Sequence, residues 1–327
     1  MAEASHIKSL IKSFAEEDDQ RFYAIAMQIA AAEARKGNQL LAEELKLLID
    51  KAKVGKRHSQ AVLKTMPLNA AQKELSDLLE LVHPKEKLKD MVLEPALKGA
   101  LKRILDEQQK LELLKQHNLF PRKKLLFTGP PGCGKTMSAK VLACELSIPL
   151  FIIRLDGLIS RYMGESIAKL RLIFDAMHQF RAVYLFDEFD SIGTSRTATN
   201  DVGEIKRVLN GFLLNLEKDD SNSLIIAATN MPTALDTALL RRFDDLISYN
   251  LPGSEELYKF YKQQLIDFHP AKGFDFKAIA EESIGLSYAD VHRICEDLEK
   301  DLLVYGTGEI SEERLIKYIQ HRKTPFK

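Results

Sequence analysis

The chain has 327 residues, and its 47 lysines and arginines balance 47 aspartates and glutamates, so the formal net charge is zero. This balance argues against a protein that mainly coats nucleic acid, because such proteins usually carry a basic excess. Hydrophobic residues make up 45% and charged residues 29% of the chain, which supports roughly two folded domains and excludes wholesale disorder.

Residues 1–60 show apolar residues at helical spacing and are predicted to form a short helical module. Its apolar face fills the module's own core by default, and docking of a partner or substrate is the alternative. Residues 61–83 are assigned to a linker, since the basic stretch at 52–66 has little periodicity. A solvated hinge is favoured there over a nucleic-acid-binding arm.

From residue 84 onward the pattern predicts an α/β domain followed by a small all-α domain. A charged helical stretch covers 84–116, with a break near Pro95. Short β-rich runs then alternate with helix-length segments, which indicates a five-stranded parallel sheet with crossover helices. The runs are 124–128, 150–155, 182–187, 224–229 and 246–249. We assign 84–251 to the α/β domain and 252–327, helical in about four segments, to the second.

Residues 129–136 match the phosphate-binding pattern G-x-x-x-x-G-K-[ST] at every position, between a predicted strand and a predicted helix. Gly132 and Gly134 allow the backbone to turn its N–H groups towards phosphate oxygens. Lys135 would reach the β- and γ-phosphates of a nucleotide, and the Thr136 hydroxyl would ligate Mg²⁺. A glycine-rich turn with an accidental lysine is the alternative, which the strand–loop–helix context disfavours.

Two acids end the predicted strand at 182–187. Its continuous apolar run is typical of a buried parallel strand, and ligands bind at the carboxyl ends of such strands. Asp187 would hold Mg²⁺, and Glu188 would polarise a water molecule for attack on the γ-phosphate. A strand that simply leads into an acidic loop is the alternative, and the preceding phosphate-binding loop argues against it.

Three further polar residues complete the candidate catalytic set. Asn230 ends the next predicted strand, where it would orient the attacking water, although an ordinary turn is the default for this residue alone. Arg241 and Arg242 follow, and guanidinium groups suit phosphate because they neutralise charge that develops in the transition state. A surface arginine pair is the alternative for them.

Together these motifs resemble the AAA family of ATPases, and more narrowly its single-cassette, protein-remodelling branch that includes katanin and spastin. The resemblance covers about residues 79–324. It implies a P-loop AAA+ module with a helical lid domain, ATP and Mg²⁺ as cofactors, and ATP hydrolysis as the reaction. The nucleotide-binding residues that it implies are Gly129, Pro130, Pro131, Gly132, Cys133, Gly134, Lys135, Thr136 and Met137.

The same resemblance assigns Mg²⁺ to Thr136 and Asp187, water activation to Glu188 and γ-phosphate sensing to Asn230. It makes Arg241 and Arg242 the arginine fingers, which reach into the neighbouring subunit's site and so imply a ring, usually a hexamer.

Residues 160–166 resemble the family's first pore loop, in which Tyr162 beside Met163 would grip a polypeptide. A half-buried core tyrosine is the alternative. Residues 285–290 resemble the start of the lid helix that contacts nucleotide.

The resemblance implies an ATP-driven protein remodeller or unfoldase. The first helices also resemble those of small bacterial AAA ATPases that are encoded beside subtilisin-like serine proteases, as in anti-phage defence pairs. A separate serine protease is therefore an expected partner, beside a polypeptide substrate. A nucleic-acid motor or loader, or a nucleotide-timed regulatory scaffold, are the alternatives. The neutral charge favours polypeptide over nucleic acid.

The cysteines are Cys133, Cys144 and Cys295, an odd and unpatterned set that does not indicate a disulfide framework. Cys133 lies inside the phosphate-binding loop, where a tolerated small residue is favoured over a redox switch. No stretch approaches the ~18 apolar residues of a transmembrane helix. The N-terminus lacks a signal-peptide pattern. We therefore expect a cytoplasmic protein without a membrane partner.

Overall fold

The computed structural model describes residues 75–158, 165–190, 201–234, 237–266, 274–305 and 310–323, together with scattered positions between 25 and 46. The chain divides into two compact units, Met1–Pro67 and Leu68–Lys327. In the first unit the described positions 25–27, 29, 30, 32, 43 and 46 are helical, as predicted. The pore-loop residues Tyr162 and Met163 lie outside the described residues.

The described part of the second unit contains a six-stranded sheet in the order β1-β3-β4-β5-β2-β6. The strands are β1 Leu79–Val82, β2 Lys124–Thr128, β3 Leu150–Ile153, β4 Val183–Phe186, β5 Leu224–Thr229 and β6 Asp245–Ser248. Strands β2 to β6 are parallel to their neighbours, whereas β1 pairs antiparallel with β3. The predicted α/β class and its five parallel strands are confirmed.

Two details of the prediction are wrong. Strand β1 lies within residues 61–83, which were predicted to be a linker, so the sheet has a sixth strand and begins before residue 84. This four-residue strand has no distinctive pattern and depends on pairing with the edge of β3, Leu79 opposite Ile153. The predicted helical stretch at 84–116 is wrong before Pro95, where only Leu88–Asp90 form a short 3-10 helix. Residues 91–94 are not helical, which agrees with the predicted break near Pro95. Pro95 then begins a helix, because the first turn of a helix does not use the N–H that proline lacks.

The helices of this unit surround the sheet and continue beyond it. They are α1 Pro95–Gln109, α2 Leu111–Gln116, α3 Lys135–Leu146, α4 Leu155–Leu158, α5 Glu165–Gln179, α6 Asp201–Lys218, α7 Thr237–Leu240, α8 Ser254–Gln264, α9 Phe276–Glu282, α10 Tyr288–Tyr305 and α11 Glu312–Lys323. Helices α8 to α11 are the predicted four segments of the second domain. Among the described residues, none of the helices is both long enough and apolar enough to cross a membrane.

The sheet is covered on both faces. On one face, Leu125 of β2 and Leu185 of β4 share a buried cluster with Leu101 of α1 and Leu142 of α3. On the other face, Phe186 of β4 lies 4.9 Å, centroid to centroid, from Phe212 of α6. Strands buried on both faces need continuous apolar sequence, which β4 and β5 have.

Helices α8 to α11 bury a separate cluster of their own, which includes Leu257, Ile279, Leu298 and Leu315. We refer to helices α8 to α11 together as the lid. All three cysteines are free in the structure. The parallel order of β2, β5 and β4 places the carboxyl ends of these strands side by side, so the segments that follow them meet at one edge of the sheet.

Candidate active site

The loop at residues 129–134 joins β2 to α3 and depends on glycine. Gly129, Gly132 and Gly134 have φ values of 140°, 75° and 97°, a region that favours glycine. Packing adds a second constraint at two of them. A Cβ on Gly129 would lie 2.0 Å from the carbonyl oxygen of Tyr249, and one on Gly132 would lie 2.5 Å from Ser287 Oγ. A side chain at either position would therefore displace the loop or its neighbours.

Lys135 is the first residue of α3, and its ammonium group lies beneath the loop. It donates to the carbonyl oxygens of Gly129 and Pro130 at 2.7 and 2.8 Å and to Asn230 Oδ1 at 2.8 Å. The residue is only 7% exposed. Burial lowers the pKa of Lys135, and the charge of Asp187 is among the influences that oppose this shift. An anion in the loop would compensate the desolvated cation, which suits phosphate.

Thr136 and Asp187 place a hydroxyl oxygen next to a carboxylate oxygen. Thr136 Oγ1 donates to Asp187 Oδ2 at 2.6 Å, which joins the start of α3 to the end of β4. The other carboxylate oxygen, Oδ1, accepts the backbone N–H of Glu188 at 2.9 Å. Hydroxyl and carboxylate oxygens are the donors that Mg²⁺ prefers, so this pair fits the predicted metal ligands.

Glu188 has an unusual backbone conformation. Its φ is 49°, in the left-handed region that non-glycine residues rarely adopt and that costs of order 1–3 kcal/mol. The following residue, Phe189, is fully buried and donates its N–H to the carbonyl oxygen of Ala228 at 2.8 Å, which holds the turn. The Glu188 side chain is left exposed at the wall of the cavity described below. A carboxylate there is accessible to water.

Asp190 is a residue that the sequence motifs did not single out. Its Oδ1 accepts the Thr229 hydroxyl at 3.0 Å and the backbone N–H of Asn230 at 3.1 Å. Asp190 thereby fixes the turn after β5, and with it the amide of Asn230 that accepts from Lys135. The available signal was a second aspartate three residues after Asp187, beyond the same strand.

The loop, the acids and Asn230 line one cavity of about 580 Å³. This volume falls within the range of about 300–1,000 Å³ that is usual for small-molecule sites. Of the predicted nucleotide-binding residues, those at 131–137 line it, while Gly129 and Pro130 contact the Lys135 ammonium. Further walls that the motifs did not predict come from the segment at 90–93 and from Phe260, Gln263, Gln264 and His292 of the lid.

The lid closes one side of this cavity. The Ala289 N–H donates to the carbonyl oxygen of Gly132 at 3.2 Å, and Gln263 Nε2 donates to the carbonyl oxygen of Asp90 at 2.8 Å. Tyr288 packs edge-on against Phe260 with 5.1 Å between ring centroids. A bound molecule would thus contact both the α/β part and the lid.

Cys133 is buried in the loop, with 1% of its surface exposed. Burial raises the pKa of its thiol, although the charge of Lys135 opposes the shift. Since the thiolate is the reactive form, this environment favours a tolerated small residue over a redox switch.

The two arginines lie away from this cavity. Arg241 and Arg242 are exposed, neither lines the cavity, and Arg242 forms an ion pair with Glu217 of α6. The structure therefore does not bring them together with Lys135 and Asp187 within one chain.

The chain is similar to known proteins. Residues 125–251 match the family described as "ATPase family associated with various cellular activities (AAA)". The chain is 32% identical over 325 residues to y4kL of Sinorhizobium fredii, described as an uncharacterized AAA family ATPase; the match covers 98% of this chain and 95% of that protein.

Two other proteins are similar to part of this chain. The proteasome-activating nucleotidase of Pyrococcus horikoshii is 37% identical over 239 residues, which cover 68% of this chain and 59% of that protein. The crystal structure of the FIGL-1 AAA domain superposes with a TM-score of 0.63 at 23% identity, over 81% of this chain and 92% of that one. This last likeness shows a shared fold.

Proposed function

The chain belongs to the AAA family of ATPases and is itself an ATPase, and from this we propose that the cavity between the sheet and the lid is where it hydrolyses ATP to remodel polypeptides. One observation carries the assignment of the site. Polar residues that follow three different strands meet at the wall of a single cavity. There Lys135 donates a hydrogen bond to Asn230, and Thr136 donates one to Asp187.

In this proposal the loop at 129–136 holds the phosphates. Its backbone N–H groups and the start of α3 favour anionic oxygens, and Lys135 exchanges its carbonyl acceptors for the β- and γ-phosphates. Thr136 and Asp187 would hold Mg²⁺, which would neutralise phosphate charge when bound. Glu188 accepts a proton from the attacking water, and Asn230, fixed by Asp190, helps to orient that water.

The inference that polypeptide is the substrate has three supports. One relative is named for activating the proteasome, and the motifs resemble those of a protein-remodelling branch of the family. The formal net charge of zero also lacks the basic excess that a nucleic-acid motor would be expected to show. No feature of the described residues favours a nucleic-acid substrate, so polypeptide is the proposal.

We test the polypeptide assignment at Tyr162. The Tyr162→Ala variant is expected to lose most of its ATP-dependent processing of a dye-labelled, permanently unfolded polypeptide, because an aromatic grip is removed. Basal ATPase activity should stay within about twofold, since the phosphate-binding residues are unchanged. Tyr305→Ala is the matched control, because this tyrosine is 70% exposed at the end of α10. Equal processing by the wild type and Tyr162→Ala would contradict the pore-loop role.

We also propose a ring in which Arg241 and Arg242 complete the neighbouring subunit's site. The Arg241→Ala and Lys135→Ala variants are each expected to be inactive, but an equal mixture should recover activity. A working site needs an intact Lys135 on one subunit and an intact Arg241 on its neighbour. Random assembly provides this arrangement at about one quarter of the interfaces.

The control mixture combines Lys135→Ala with Glu188→Gln. These two residues line the same chain's cavity, so each pairing leaves every site defective and no activity should return. The measurement is phosphate release across mixing ratios. Recovery in the control mixture, or none in the test mixture, would count against shared sites.

The remaining assignments extend the same proposal. Residues 1–60 would dock an adaptor, a substrate or a separate serine protease of a bacterial defence system. Residues 84–251, now extended by β1, would form the ATPase domain, and 252–327 the lid. A cytoplasmic location remains a prediction.

A further inference from the structure

The first turn of α10 is held by a reciprocal pair of side chains. Ser287 Oγ accepts the backbone N–H of Asp290 at 3.2 Å, and Asp290 Oδ2 accepts the backbone N–H of Ser287 at the same distance. The Ser287 hydroxyl also donates to Asp290 Oδ2 at 2.6 Å. This is the arrangement of a capping box, which fixes where a helix begins and the direction in which it enters.

That first turn rests on the phosphate-binding loop. Ala289 donates its N–H to the carbonyl oxygen of Gly132, and Ser287 Oγ is so close to Gly132 that no Cβ would fit between them. Tyr288 and Ala289 line the cavity directly. The position of this turn therefore sets the shape of the lid side of the cavity.

A residue from the last helix holds the same turn. Arg322 Nε, near the end of α11, donates to Asp290 Oδ1 at 3.0 Å, the carboxylate oxygen that the capping box leaves for it. Burial raises the pKa of Asp290, but hydrogen bonds from Ser287 and then Arg322 outweigh it and hold the pKa below its usual value. The carboxylate is thus charged and has a bonding partner on each oxygen.

We propose that Arg322 is a positioning residue for nucleotide binding, which couples the last helix to the phosphate-binding loop through Asp290 and the first turn of α10. The inference rests on the proposed function of the cavity. Arg322 does not line the cavity, so it acts on the nucleotide through the placement of Tyr288 and Ala289. Nothing in the phosphate-binding pattern of the sequence points to this residue.

The same two helices supply a matched control pair. Arg314 of α11 donates to Asp301 of α10 at 3.2 Å, and each side chain is 29% exposed, against 33% for Arg322 and Asp290. Tyr318 also donates to Asp301. This second pair lies 11 residues further along α10, away from the cavity. Both pairs hold α11 to α10, but only one reaches the turn that contacts Gly132.

The test measures nucleotide affinity and turnover in the full chain. For Arg322→Ala we expect the Kd for a fluorescent ATP analogue to rise about fivefold, the size of a modest coupling between sites. A larger effect is not expected, because partly exposed ion pairs are weak. The kcat at saturating ATP should stay within about twofold, since the reacting groups are unchanged. Arg314→Ala should leave the Kd within about twofold.

Two more comparisons separate positioning from a general loss of lid stability. In an Asp290→Ala background, Arg322→Ala should change the Kd no further, because its partner is absent. Arg322→Lys should recover part of the affinity, since it restores the positive charge. Arg322→Gln, which keeps a donor without the charge, replaces the alanine variant if that variant fails to fold. Thermal unfolding is recorded for every variant.

The inference is overturned if Arg314→Ala weakens binding as much as Arg322→Ala, or if the Asp290 and Arg322 effects add independently. An unchanged Kd in Arg322→Ala would also overturn it. These outcomes differ from a failure of the proposed site, in which Lys135→Ala would bind the analogue as the wild type does. Loss of binding in Lys135→Ala with an unaffected Arg322→Ala would refute the coupling alone.

Discussion

Replacing Glu188 by glutamine is expected to abolish ATP turnover while ATP binding persists. The amide has nearly the same shape, so the phosphate-binding groups and the backbone turn held by Phe189 stay in place. It cannot accept the proton of the attacking water, and loss of a general base costs about 100-fold to 10,000-fold in rate. We expect kcat to fall at least about 100-fold, with the Kd for ATP within about threefold.

Phosphate release gives the rate, and a fluorescent ATP analogue gives the affinity. Glu282→Gln is the control, because Glu282 is exposed at the end of α9 and does not line the cavity. It should behave as the wild type in both measurements. Turnover that survives in Glu188→Gln would show that another group activates the water. The trapped ATP-bound variant would also serve to capture bound polypeptide for identification.

The second large effect is expected at Lys135. Lys135→Ala removes a buried ammonium that donates to three oxygens and would donate to phosphate when ATP is bound. Charge-assisted hydrogen bonds contribute about 1.5–3 kcal/mol each, so losing them should weaken ATP binding by at least about 100-fold. The measurement is the Kd for the fluorescent analogue.

Lys140 provides a control on the same helix. It also lines the cavity, but its ammonium nitrogen lies 4.0 Å from a carboxylate oxygen of Glu86 and does not donate to the loop. Lys140→Ala removes the same formal charge and should change the Kd by less than about threefold, because a partly exposed charge without a hydrogen bond to the loop contributes little. Equal losses in both variants would mean that general positive charge, and not the position of Lys135, holds the nucleotide.

The parallel strands could be predicted because burial on both faces leaves a mark in the sequence. The apolar runs at 224–229 and 124–128 match β5 and β2 at both ends. Strand β1 has no such mark, since its pairing with β3 involves residues about 70 positions apart. Pro95 shows that a residue type alone does not fix its role, because proline ends some helices and begins others.

The residues of the site likewise fall into those that the sequence could predict and those that it could not. The residues whose chemistry requires a particular side chain at a particular spacing, such as Lys135 and Asp187, could be found from the motif. The wall at 90–93 and the lid residues Phe260 and Gln263 could not be found, because many different side chains can line a cavity. Asp190 lies between these cases, since its carboxylate acts through the turn that carries Asn230.

Packing constrains two glycines of the phosphate-binding loop, Gly129 and Gly132. They contact the segments that precede and follow the first half of the lid in the sequence. Gly129 lies against Tyr249, just after β6, and Gly132 against Ser287, just before α10. Helices α8 and α9 lie between these two contacts in the sequence. A change in the shape of the loop would therefore act on the chain at both ends of this helical pair. A side chain at Gly132 would push on Ser287 and so on the lid, whereas one at Gly129 would push on Tyr249, where the α/β part leads into the lid. Either substitution would therefore disturb more than the phosphate site.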